Sequence, residues 1–289
     1  MLKFIAILTM LIDHLAAYLP NTIQGFAYTS MRAVGRIAFP IFAYEIAIGY
    51  KRTRNPLIYL FRLIASAVVS EIVLASVQRL THVSDYPNIF ITLSLGLALI
   101  IAVDALVEVC RASWHLTQPA DSASDGASSF QTFRELKTQF AGYSLPAPTV
   151  IFLSLLSLLI IFVLTQYFRS DYYVYGLVTP LLFHILNTLA PISKKSRGRK
   201  ATLRDIVCEH VALAFLAFLV FNLSYYLLFS RLLHYGFGGI QLLSAFACIL
   251  FPLEIYSKKP SKFLKYFYYS FYPLHLAILF VVASQTGNI

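Results

Sequence analysis

An aspartate and a histidine stand side by side, Asp13-His14, inside the first apolar run of this sequence. Neighbouring residues on a helix point about 100° apart, so the two cannot pair with each other as a carboxylate–imidazole couple. Asp13 is expected to reach one adjoining helix while His14 faces a cavity beside another. The second apolar run carries Arg32 and Arg36, one helical turn apart on a shared face. An Asp13–Arg36 ion pair lowers the cost of burying both groups, and it leaves His14 and Arg32 for other work. His275 lies in the last apolar run, just after Tyr272 and Pro273. Histidine suits acyl transfer as a general acid or base because its unperturbed pKa is close to neutral pH. Most histidines on apolar helices are hydrogen-bonded packing residues, the reading given to His184 and His210. His14 and His275 each have polar company, which makes them the candidates for catalysis with Asp13 and Arg36.

Other ionisable groups sit where a membrane makes them expensive, at ~3 kcal/mol or more for a charge near the bilayer centre. Glu45 lies on roughly the opposite face to Arg36, and its expected partner is Arg62 in the following run, a structural pair. Arg32, Glu71, Asn88, Asp171 and Tyr175 lie toward the same side of the membrane as His14 and, with Tyr272 of the last run, are expected to line a substrate site. There is no phosphate-cradling loop, dinucleotide glycine pattern, His-Glu-x-x-His or nucleophile elbow. Neither metal nor nucleic acid is expected as a partner.

The elements that must position these residues are transmembrane helices. Hydrophobic residues make up 58% of the 289 and charged ones only 12%, against about 25% charged in a soluble domain. The apolar residues fall in runs long enough to span about 30 Å of hydrocarbon. The expected fold is one all-α polytopic bundle over residues 1–289, of about nine spans or ten, a tenth moving the C-terminus to the other side without altering the first half. The spans run near Leu2–Leu19, Met31–Tyr50, Leu57–Leu80, Ile89–Val109, Thr149–Phe168, Tyr172–Ala190, Ile206–Phe229, Ile240–Tyr256 and Phe267–Ala283. Pro40 is expected to kink the second, and the eighth is short and contains Pro252.

Basic residues cluster in alternate loops: Lys51-Arg52-Thr53-Arg54, Lys194 to Arg204, and Lys258 to Lys265. The positive-inside rule then puts the N-terminus in the cytoplasm and the C-terminus outside, so the net charge of +10 belongs to membrane-flanking loops. The first run lacks a signal-peptide cleavage site and is read as a retained helix. Residues from about 112 to 144 are rich in Ser, Asp, Ala, Gly and Gln and read as a polar cytoplasmic insert. A weak helical pattern within it joins Phe130, Phe133, Leu136 and Phe140.

Several stretches together resemble the TraX family: Met10-Leu11-Ile12-Asp13-His14, Gly35-Arg36-Ile37-Ala38-Phe39-Pro40, Arg54-Asn55 with Tyr59 and Arg62-Leu63, and Phe271-Tyr272-Pro273-Leu274-His275-Leu276. Weaker echoes are Asn88 to Gly96 and Asp171 to Gly176. That family is associated with acetylation of the pilin N-terminus and is similar to a wider group of multi-span membrane acyltransferases. The resemblance implies a transferase of the bacterial inner membrane that uses cytosolic acetyl-CoA. The acceptor is a pilin or peptide amine, or a glycan hydroxyl or amine, on the far side. Lys51, Arg52, Arg54 and Arg62 would then meet the donor's phosphates on the inner side. Two rival readings stay open: a transporter or flippase, because buried charges and a broken helix also mark transport sites, and a non-catalytic partner in pilus or envelope assembly.

Overall fold

The computed structural model describes residues 1–81, 88–117, 136–141, 143–168, 172–190, 195–196, 199–200, 210–228, 239–256 and 261–288. Nine α-helices are described: α1 Leu2–Tyr18, α2 Gly25–Gly35, α3 Ala38–Arg52, α4 Pro56–Thr81, α5 Ile89–Thr117, α6 Ala147–Tyr167, α7 Tyr173–Leu189, α8 Ala212–Tyr225 and α9 Lys262–Gln285. A 3-10 helix, Gly239–Tyr256, lies between α8 and α9. By length and composition Gly25–Arg52, Pro56–Arg79, Ile89–Trp114, Ala147–Tyr167 and Tyr266–Gln285 can each cross a membrane. Helices satisfy their own backbone groups, which lipid cannot do for them. The outward faces are apolar: Phe61, Ile72, Phe152, Leu159 and Phe162 are all exposed. Water would disfavour such a continuous surface, and lipid does not. The chain is a multi-pass membrane protein.

The second span starts earlier than the pattern of apolar residues suggests, and it is broken. Pro40 has no N–H to give to the carbonyl four residues back, which is that of Arg36. At that point Arg36 and Ile37 donate to Ala33 and Val34, three residues back, and the α-helix is interrupted between Gly35 and Ala38. Helix α3 is the centre of the bundle, touching α1, α5, α7 and the 3-10 helix, with most of its residues buried. The apolar run near Ile240–Tyr256 is wound as an 18-residue 3-10 helix, which at this length extends about 36 Å against about 27 Å for an α-helix.

Two expectations are corrected. Leu136 and Phe140 are not on a helix: Lys137–Phe140 (β1) and Tyr143–Pro146 (β2) pair antiparallel, Phe140 opposite Tyr143. Thr138, Phe140 and Tyr143 favour extended backbone, and Glu108 accepts the Gln139 N–H at 3.0 Å. Helix α5 also continues to Thr117, so the polar insert is shorter than 112–144. Phe130 and Phe133 lie outside the described residues. Secondly, Glu45 does not meet Arg62. It pairs with Lys3 of α1 at 3.3 Å, the helix packed directly against α3.

The ends of the bundle are defined by contacts. Asn288 accepts from the backbone N–H groups of Asn21 (2.8 Å) and Thr22 (3.2 Å), so α1 and α9 finish together where α2 begins. We call this the clasp end. At the other end Lys51 donates to the Asn187 carbonyl at 2.8 Å and Arg52 pairs with Glu254. Tying the last turns of α3, α7 and the 3-10 helix together, these contacts mark the basic end.

Candidate functional site

Toward the clasp end, α1 and α2 approach closely because Gly35 has no side chain. A Cβ there would stand 2.2 Å from the Asp13 Cβ. This puts the Asp13 carboxylate between two guanidiniums, with Arg32 Nη1 at 2.9 Å and Arg36 Nη2 at 3.5 Å. The expected Asp13–Arg36 pair is present, and Arg32 is the nearer partner. One negative and two positive groups leave a surplus positive charge in a buried place. Such a charge favours an anion or a developing oxyanion.

Arg36 is held from several sides. Its Nη1 donates to the Tyr172 hydroxyl at 3.3 Å and to Gln241 Oε1 at 3.4 Å. Tyr172 and Tyr173 have φ of 64° and 47°, a left-handed backbone that costs roughly 1–3 kcal/mol per residue outside glycine. Behind Arg36 runs a buried polar chain. Gln241 Nε2 donates to the Tyr175 hydroxyl (3.3 Å), which donates to Asn222 Oδ1 (3.0 Å), and Ser244 donates to the same oxygen (3.4 Å). Arg36 Nε is buried with no protein partner among the described residues. A buried donor left unmatched costs about 1–3 kcal/mol, so this atom is suited to a ligand oxygen.

His14, on the other side of α1's polar pair, meets His275. His14 Nδ1 and His275 Nε2 are 2.7 Å apart. The rings are nearly parallel (3°) with centroids 5.0 Å apart. The centroids exceed the N–N distance by about two ring radii, so the rings lie edge to edge in one plane and do not overlap. His275 Nδ1 is 2.8 Å from the Phe271 carbonyl, which can only accept, and this assigns the His275 proton to Nδ1. In the neutral pair His275 Nε2 then accepts from His14 Nδ1–H. His14 Nε2 is left unprotonated and is the free basic nitrogen of the couple. The arrangement resembles that of an aspartate–histidine couple, with a neutral carbonyl-anchored imidazole where the carboxylate would stand.

The remaining residues named from the sequence separate into groups. Tyr272 is buried and its hydroxyl accepts the Ile89 N–H at 3.2 Å, where α5 starts. Asn88 caps that same helix, accepting from Phe90 N (3.1 Å) and donating to Glu71 Oε2 (3.1 Å) and the Ala67 carbonyl (2.9 Å). Tyr175 is fully buried behind Arg36. Asp171 lies outside the described residues. Lys51, Arg52 and Arg54 are grouped at the basic end, and all three are exposed. Arg62 is exposed on α4.

Two parts of the site carried no expectation. Gln241 joins Arg36 to the buried chain, but a neutral amide in an apolar run gives no signal. Asp104 did carry one, a charge within Ile100 to Val107. It accepts from the Tyr50 hydroxyl (2.9 Å) and lies 3.3 Å from His184 Nε2, near the basic end. Among the described residues no group of three or more His, Cys, Asp or Glu could hold a metal ion.

This is a membrane helical bundle with a buried arginine–aspartate cluster beside a histidine pair. Residues 1–120 match the family described as TraX protein, which bears out the resemblance over α1 to α5, including Asp13, His14, Arg32, Arg36 and the basic turn. His275 and Gln241 lie beyond the matched part. No curated protein and no solved structure gives a match.

Proposed function

We propose that this protein is a membrane-embedded acetyltransferase that moves an acetyl group from cytosolic acetyl-CoA to an acceptor on the extracytoplasmic side. The observation that carries this reading is the His14–His275 hydrogen bond, because it leaves one basic nitrogen fixed in direction next to a cluster with surplus positive charge. The clasp end faces outward and the basic end faces the cytoplasm, in line with the distribution of Lys and Arg. An acceptor amine or hydroxyl gives its proton to His14 Nε2 as it attacks the thioester carbonyl. The carbonyl oxygen becomes negative, and Arg36 Nε with the Arg32 guanidinium stabilises it. Collapse of the tetrahedral intermediate breaks the carbon–sulfur bond. The CoA thiolate leaves and takes up the proton that His14 accepted.

The TraX match and the implied link to pilin favour a peptide N-terminal amine over a glycan. The experiment is a comparison of envelope proteins and glycans by mass spectrometry with and without the gene, followed by purified protein given labelled acetyl-CoA. Loss of one acetyl group from a pilin-type peptide is the expected result. Wild-type protein that neither binds nor consumes acetyl-CoA would overturn the reading.

A further inference from the structure

Helix α5 runs toward the basic end and carries a groove that the clasp-end chemistry does not use. Val103, Leu106, Val107, Cys110, Arg111 and Trp114 line it, with about 400 Å³ of space. Val103, Val107, Cys110 and Trp114 form one row at helical spacing, flanked by Leu106 and Arg111. Ala105 and Val109, on the opposite face, pack against Ala147 and Val150 of α6. Val107 is 38% and Trp114 65% exposed, and Cys110 and Arg111 are exposed as well.

The groove changes character along its length. Val103 precedes Asp104, which meets Tyr50 and His184 near the basic end. Arg111 is seven residues further on, about 10 Å along the axis, and Trp114 is nearly one turn beyond it. The apolar part therefore borders the hydrocarbon. The guanidinium stands at the depth of lipid headgroups, a zone that also suits an indole. Arg111 makes no ion pair among the described residues. The acidic groups that precede it on α5 are engaged elsewhere, Asp104 by Tyr50 and His184 and Glu108 by the Gln139 N–H. An exposed cation at the head of an apolar trough matches an amphiphile with an anionic head. A guanidinium meets phosphate oxygens through two parallel hydrogen bonds. We propose that the groove holds one anionic phospholipid of the leaflet at the basic end. Its phosphate sits on Arg111, and the upper part of an acyl chain lies along Val107, Leu106 and Val103. Binding there does not require acetyl transfer.

Trp114 is the protein's only tryptophan, so its fluorescence reports on this groove alone. Full-length protein is reconstituted in phosphatidylcholine vesicles with rising fractions of phosphatidylglycerol brominated in its acyl chains or, in parallel, of brominated phosphatidylcholine. Bromine quenches an indole that it touches. Brominated phosphatidylglycerol should occupy the groove about fivefold more readily than brominated phosphatidylcholine, the effect of one basic residue on an anionic lipid. Arg111→Gln should abolish that preference, and Arg111→Lys should keep most of it. Arg62→Gln, which removes an exposed cation from α4, should leave it unchanged. Equal quenching of the wild-type protein by the two lipids overturns the proposal, and this comparison needs no variant to fold. A preference that survives Arg111→Gln, or that falls as far in Arg62→Gln, overturns it too, since the basic end as a whole would then attract the lipid. Absence of quenching by either lipid also overturns it, because another stretch of protein would then cover the groove.

Discussion

His14 and His275 are 261 positions apart in the chain and share a 2.7 Å hydrogen bond between Nδ1 and Nε2. General-base catalysis is typically worth 10²–10⁴ in rate, and residues that act as one unit lose their effects together rather than additively. His14→Ala and His275→Ala should each reduce acetyl transfer by about 10²-fold or more, and the double variant by little beyond the worse single one. Turnover with labelled acetyl-CoA checks this. Multiplicative losses would mean that the two imidazoles work independently.

Arg36→Lys keeps the charge but loses the planar fork that meets Asp13, Tyr172 and Gln241 together. Transfer should fall at least tenfold, with a smaller fall for Arg32→Lys, whose side chain is more exposed (25% against 11%) and makes fewer contacts. Relative kcat values of the two variants decide it.

Gly35→Ala forces α1 and α2 apart, since the new Cβ would overlap Asp13. Overpacking of this kind costs about 1–3 kcal/mol. The expected outcome is a lower melting temperature in detergent, together with reduced transfer as Arg32 and Arg36 lose register with Asp13.

Tyr175→Phe removes one hydroxyl from a fully buried chain and leaves Asn222 and Gln241 short of partners. The destabilisation should be about 1–3 kcal/mol. Thermal unfolding gives the magnitude. A loss of activity larger than the loss of stability would show that the chain also steadies Arg36.

Much of this was legible from residue type and spacing. The apolar runs announced the helices, and the cost of burying Asp13 demanded Arg36. Both histidines were visible singly, but nothing periodic links positions at opposite ends of a chain, so their hydrogen bond was not. Helical facing placed Glu45 away from Arg36 without telling which neighbouring helix supplied its cation, and Lys3 proved nearer than Arg62. Pro40 signalled the break between α2 and α3, whereas the 3-10 winding of Gly239–Tyr256 left no mark beyond an undersized span. Asp104, a charge inside the apolar run Ile89–Val109, called for the same energetic suspicion as Asp13.

The Asn288 carboxamide, closing the turn after α1, has a consequence for how the protein responds to its bilayer. A helix meets a thicker or thinner membrane by changing tilt. Because α1 and α9 are fastened at their shared end, they are expected to tilt together. Common tilting keeps His14 of α1 beside His275 of α9, so the proposed acetyl transfer should vary little across vesicles of different acyl-chain length, and Asn288→Ala should make it vary.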